Sequence, residues 1–161
     1  MLIKQIMEVF DVLDSSTVDG AAVKKYLQSV NPEANVEVYP LEGPKGSTDM
    51  VKVRIPGTNG KSKGGSAPTI GLLGRLGGIG ARLEMIGFVS DGDGALCALA
   101  VAAKLLDMQT KGDYLEGDVF VSTQIAPTLR LLPTSRFPSW DPQWRCPRSI
   151  RKKSAPSWTL S

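Results

Sequence analysis

Apolar residues recur with a helical period through the first thirty positions. Leu2 to Asp14 predicts an amphipathic helix with Ile3, Ile6, Met7, Phe10 and Leu13 on one face. Ser15-Ser16-Thr17 interrupts the period, and Asp19 is placed to cap a second helix, Gly20 to Ser29, whose apolar positions are Val23, Tyr26, Leu27 and Val30. Asn31-Pro32 ends that helix, because proline disfavours a helical residue before it. The period then changes to two. Asn35 to Tyr39 and Met50 to Ile55 alternate as half-buried strands do, on either side of a turn at Gly43 to Ser47.

Pro56 to Ser66 is rich in glycine, lysine and serine and predicts a mobile polar surface loop. It lacks the glycine–lysine spacing of a phosphate-binding loop. Thr69 to Gly74 is a short continuous apolar run, which predicts a buried strand. Four glycines in seven residues come next (Gly74, Gly77, Gly78 and Gly80), with Arg75 and Arg82 at the ends of the segment. Two guanidiniums on a pliable backbone are candidates to bind a carboxylate or phosphate, or they are surface residues on a tight crossover. Met85 to Val89 predicts another strand.

The chain is organised around the next stretch. Ser90-Asp91-Gly92-Asp93-Gly94 is an acidic turn, and Ala95 to Asp107 is a helix apolar on nearly every face, which belongs inside a domain against a sheet. Asp91 and Asp93 fall at its positive dipole end and are expected to cap it or to face a cleft without metal. Gly112 suits a left-handed cap at the other end, and Gly117 to Ile125 predicts a last strand. Strands alternating with buried helices give an α/β domain with a mixed, largely parallel sheet.

Composition narrows the chemistry. The 161 residues contain no histidine, which removes Ser–His and Cys–His nucleophile pairs and the commonest zinc ligand. Cys97 and Cys146 make no disulfide framework. No apolar run approaches the ~20 residues that span a bilayer. Met1-Leu2-Ile3-Lys4-Gln5 has no signal-peptide pattern, so cytoplasm is the expected compartment, with no membrane partner.

The motifs resemble two known groups. Arg54-Ile55-Pro56-Gly57, Leu72-Leu73-Gly74, Asp91-Gly92-Asp93-Gly94 and Gly117-Asp118-Val119 keep the order of the core of the co-catalytic zinc peptidase and deacylase superfamily. Residues 1–128 more closely resemble the domain-of-unknown-function family 1177. That resemblance is carried by Lys45 to Asp49, Gly74 to Arg82, Val89 to Gly94, and Lys111-Gly112-Asp113 with Gly117-Asp118-Val119. The peptidase resemblance implies a hydrolase-like core incomplete at the C-terminus, and it aligns Asp91 with a carboxylate that bridges two zinc ions. Arg75 and Gly77 stand where the peptidases carry a zinc ligand and an orienting acid, and Ile125-Ala126-Pro127 replaces an acidic pair. A guanidinium repels a divalent cation, and one carboxylate cannot hold a catalytic zinc. No cofactor is therefore expected, with zinc reserved for a full-length family member.

From Leu129 the composition changes. All 17 glycines precede it, while all three tryptophans and seven basic residues against Asp141 alone lie beyond it. Read one base backwards, Trp140-Asp141 forces a glycine codon. A self-consistent shifted reading from Leu129 continues the family-like pattern and restores a histidine. Residues 1–128 are thus expected to form part of a larger α/β domain, and residues 129–161 to be an irregular out-of-frame tail.

Three functions stand as expectations. The first is a catalytically inactive, truncated member of the uncharacterised family. The second is a metal-dependent amidohydrolase or peptidase acting on a small amide through Asp91 and partner carboxylates. The third is a small-anion module using Arg75, Arg82, Asp91 and Asp93. Homo-oligomerisation is an open partner, and nucleic acid ranks last because it rests on the tail alone.

Overall fold

The strands β1 (Asn35–Gly43) and β2 (Gly46–Ile55) are separated by two residues, a spacing that only an antiparallel hairpin accommodates. Their register pairs Asn35 with Arg54 and Gly43 with Gly46. The structure, a computed structural model, describes residues 2–15, 18–43, 46–75 and 92–125, all within the unit Met1–Arg130. The hairpin is longer than the alternation predicts, because β1 runs on through Pro40. Proline is tolerated there since β1 is an edge among the described strands, where a missing N–H need not break a ladder.

The sheet has four described strands in the order β1-β2-β4-β3, with β3 at Ile70–Leu73 and β4 at Val119–Ile125. It is mixed. Only β3 and β4 run parallel, joined by the long crossover that contains α3 (Asp93–Thr110), while β1-β2 and β2-β4 are antiparallel. The expectation of a largely parallel sheet is corrected on this point among the described strands. A hairpin fixes the direction of β2, and β4 docks on its free edge in the opposite sense. The strand expected at Met85 to Val89 lies outside the described residues.

Alternate residues of the central strands build the core. Val51, Val53, Ile55, Val119, Val121 and Ile125 are all buried, and they meet Ala95, Leu99, Ala102, Ala103 and Leu106 of α3. The many alanines bring α3 close to the sheet, and the expectation of a buried helix holds. Burying a leucine such as Leu99 contributes about 2 kcal/mol. The helix ends as the sequence predicts: Gly112 adopts φ 79°, its N–H donates to the Gln109 carbonyl, and the Asp113 N–H donates to that of Met108.

Helix α2 (Gly20–Val30) also agrees with its sequence. The Asp19 carboxylate accepts from the Ala22 N–H at 2.7 Å, and the Asn31 N–H closes the other end on the Leu27 carbonyl. Val23 and Leu27 are buried against the sheet side of the core.

Helix α1 (Leu2–Leu13) departs from its expectation. It buries Gln5, Val9 and Leu13, whereas Ile3, Ile6, Met7 and Phe10 of the expected inner face are exposed. Leu13 sits on the boundary shared by the two arcs, so sequence period alone does not choose between them. Tertiary contacts do. Val9 and Leu13 belong to the core that includes the small-residue surface of α3, and the Tyr26 hydroxyl of α2 donates to Glu8 Oε2 at 3.1 Å, fixing the rotation of α1 about its axis. Burial, reinforced by Glu8, pushes the Tyr26 phenol above its ordinary pKa of 10.

Strand β3 is a second correction. The apolar run predicts burial, yet Ile70 is 57% and Leu73 85% exposed, and Leu72 alone packs on the core. Among the described strands β3 is an edge with a neighbour on one side only, so a run suited to double burial is half used.

Candidate functional site

At the carboxyl end of β3 the chain meets the start of α3. The Gly74 N–H donates to the Ser122 carbonyl at 2.9 Å, extending the parallel pairing with β4 by one bond. One residue further, the Arg75 carbonyl accepts from the Ala95 N–H at 3.1 Å, which takes up one of the donors a helix leaves unpaired in its first turn. The two segments approach through glycine. A Cβ added to Gly74 would lie 2.7 Å from the Ala98 Cβ and 2.9 Å from the Gly94 carbonyl carbon, so only glycine lets the backbones come this near.

This contact brings two of the four sequence-predicted residues together. Arg75 is exposed directly after β3, and Asp93 is exposed in the first turn of α3. Arg82 and Asp91, including the metal role assigned to Asp91, lie outside the described residues. The capping role expected of Asp93 is corrected. The N-cap position is Gly92, in an αR conformation and with no side-chain hydrogen bond, and Asp93 instead stands one residue inside, where the helix dipole favours its charge. Among the described residues no group of three His, Cys, Asp or Glu side chains is placed to hold a metal ion. The described residues at this end, a guanidinium and one carboxylate, do not fit a zinc centre.

A residue whose role sequence reasoning missed is Asp118, which directly precedes β4. Its carboxylate accepts from the Gly57 N–H at 2.9 Å, the Ser62 N–H at 2.8 Å and the Ser62 hydroxyl at 2.8 Å. Those bonds, the Gly57 one foremost, hold its carboxyl below the ordinary value of 3.8. The Thr58 and Asn59 N–H groups donate to the Leu115 and Glu116 carbonyls, Gln109 Nε2 reaches the Pro56 carbonyl, and a short 3-10 helix forms at Lys61–Lys63. The loop expected to be mobile is therefore an ordered one, built on a carboxylate more than fifty residues away. The Gly117-Asp118-Val119 motif was the available signal, but nothing in it names the partners. Asp118 accepts three hydrogen bonds from its own chain, so it is a structural anchor at this point.

Glu8, Tyr26 and Asp107 line a polar cleft where α1, α2 and α3 meet. Asp107 is paired there with Lys111 at 2.7 Å and Lys104 at 3.5 Å; the Lys111 hydrogen bond is the main reason its carboxyl is held below the ordinary range.

The fold and this end of the sheet define an α/β protein with a mixed sheet and helices packed on it. The chain belongs to the family described as "Protein of unknown function (DUF1177)", whose profile matches residues 40–153. That match continues across residue 129, so the expectation of an out-of-frame tail beginning there finds no support in it. No curated protein matches the chain significantly. Among solved structures, the crystal structure of Acidobacteriales bacterium glutaminyl cyclase is similar at 16% identity and a TM-score of 0.46, covering 76% of this chain and 42% of that one. The chain thus spans less than half the length of that structure. Among the described residues no helix is long and apolar enough to cross a membrane.

Proposed function

We propose that the carboxyl end of β3 binds a small anion, a carboxylate or a phosphate, and does so without catalysing hydrolysis. The observation that carries this reading is the backbone clamp between Arg75 and Ala95, which brings an exposed arginine to the start of α3. A guanidinium offers paired N–H donors to a planar anion, and the helix start adds a favourable partial charge. Arg82 supplies a second guanidinium on the same glycine-rich segment. Asp93 opposes the ligand's charge and confines the anion to the Arg75 side. The order of motifs shared with the zinc peptidases supports a peptidase-like core whose metal-binding position has become an anion-binding one, since Arg75 occupies the place of a ligand.

Inorganic phosphate and acetate, titrated into the full chain while its melting is followed, test the reading. Saturation near 100 times the dissociation constant stabilises by about 2.7 kcal/mol. For a chain of this size that raises the melting temperature by roughly 5–10 °C. Arg75→Ala is expected to remove the shift. Asp93→Asn is expected to tighten binding about two- to five-fold, the range of a single charge at a helix start. The reading fails if neither anion moves the transition, or if the chain binds zinc stoichiometrically and hydrolyses amides in an Asp91-dependent way.

A further inference from the structure

Gln5 stands one turn before Val9 on the buried arc of α1, where an apolar side chain would continue the core. It is 5% exposed, and its Oε1 is buried with no hydrogen-bond partner among the described residues. A buried acceptor left unpaired costs stability. Gln5 also lines the polar cleft between α1, α2 and α3. That cleft holds about 270 Å³, room for several non-hydrogen atoms, since one water takes about 30 Å³.

The hydroxyl donors of the cleft wall are already committed. The Ser29 hydroxyl donates to the Tyr26 carbonyl at 2.6 Å, and the Tyr26 hydroxyl donates to Glu8 Oε2 at 3.1 Å. Glu8 Oε1 has Lys4 at 3.7 Å, beyond hydrogen-bond range, on a side chain 70% exposed and free to turn to water. The Tyr26 phenol, its pKa raised by burial, keeps its proton, so its oxygen has a lone pair left to accept. Three acceptors with capacity to spare thus line one cleft: Gln5 Oε1, Glu8 Oε1 and the Tyr26 oxygen. Gln5 and Glu8 are three residues apart and so neighbours on the helix surface. A protonated primary amine carries one positive charge and three N–H donors, which three acceptors and one carboxylate match. We infer that this cleft binds the ammonium group of a small primary amine, with Gln5, Glu8 and Tyr26 each accepting one N–H. The terminal amide of Gln5 turns on a soft torsion, which brings Oε1 to the bound group. Asp107, also on the wall, is held by Lys104 and Lys111, which leaves Glu8 to balance the cation. Asp107 and Asp93 lie toward opposite ends of α3, about 21 Å of helix apart, so the cleft is separate from the anion site.

Melting of the full chain in methylammonium chloride, against equal concentrations of tetramethylammonium and potassium chloride, is the test. The three salts match in charge and counter-ion, and methylammonium alone among them brings N–H donors. It should raise the melting temperature by roughly 5–10 °C over the other two at about 100 times its dissociation constant. Gln5→Leu should lose this difference. Glu8→Gln keeps an acceptor for Tyr26 at a side chain 40% exposed, and it should weaken methylammonium binding about ten-fold, the gap between a charged and a neutral acceptor. If Gln5→Leu misfolds, Glu8→Gln still decides. A wild-type chain that melts alike in the three salts, or a methylammonium difference kept in full by either variant, would overturn the inference.

Discussion

Gly74 and Gly71 lie three residues apart on one segment, and the same substitution should act on them with opposite sign. At Gly74, an added methyl meets the Gly94 carbonyl and the Ala98 methyl, both fixed on α3. Neither can retreat without moving the helix off the sheet. Overpacking of this kind costs about 1–3 kcal/mol. A chain of this size loses roughly 2–4 °C of melting temperature per kcal/mol, so Gly74→Ala should melt about 3–10 °C below wild type. At Gly71 the methyl meets nothing within 4 Å. Its φ lies outside the left-handed range, so alanine fits the backbone and restricts the unfolded chain, for a gain of about 0.4–1 kcal/mol. Parallel thermal and urea melts of the two variants read the difference directly. Since Gly74 precedes Arg75, Gly74→Ala should also weaken the phosphate-induced shift while Gly71→Ala leaves it intact. Equal stability of the two variants would refute the claim that close approach of β3 and α3 builds this end of the sheet.

Two further outcomes rest on particular hydrogen bonds. Asp118→Ala removes the anchor of the loop at 57–67, and trypsin should then cleave after Lys61 or Lys63 faster than in wild type at neutral pH. The Asp118 carboxyl is held below its unfolded value, so the stability it contributes is complete above about pH 3.8 and disappears as pH falls through the lower folded value. The gap in melting temperature between wild type and Asp118→Ala should therefore close on acidification, and a gap that widens would contradict the assignment. Asp19→Ala removes the carboxylate that accepts from Ala22 and should cost about 1 kcal/mol. Asp19→Asn should recover most of it in the same melts.

What the sequence determined by itself is what depends on near neighbours. The Asp19 cap, the stop at Asn31-Pro32, the left-handed Gly112 and the burial of the alanine-rich α3 all arise from interactions within a turn or two of chain, or from the absence of any polar face. The existence of β1, β2 and β4 was legible in their alternation for the same reason. Arg75 and Asp93 could be singled out by residue type and motif order, though not their meeting across Gly74 and Gly94, which needs the register of β3 on β4. Tertiary structure alone decided which arc of α1 turns inward, because Leu13 fits either arc and a Tyr26–Glu8 hydrogen bond with the α3 surface breaks the tie. It decided that β3 is exposed, since an apolar run states an appetite for burial and the number of neighbouring strands states how much is met. It also decided that Pro56 to Ser66 is ordered. A carboxylate at position 118 organises that loop through partners 56 and 61 residues away, and no local pattern encodes a hydrogen bond over that separation.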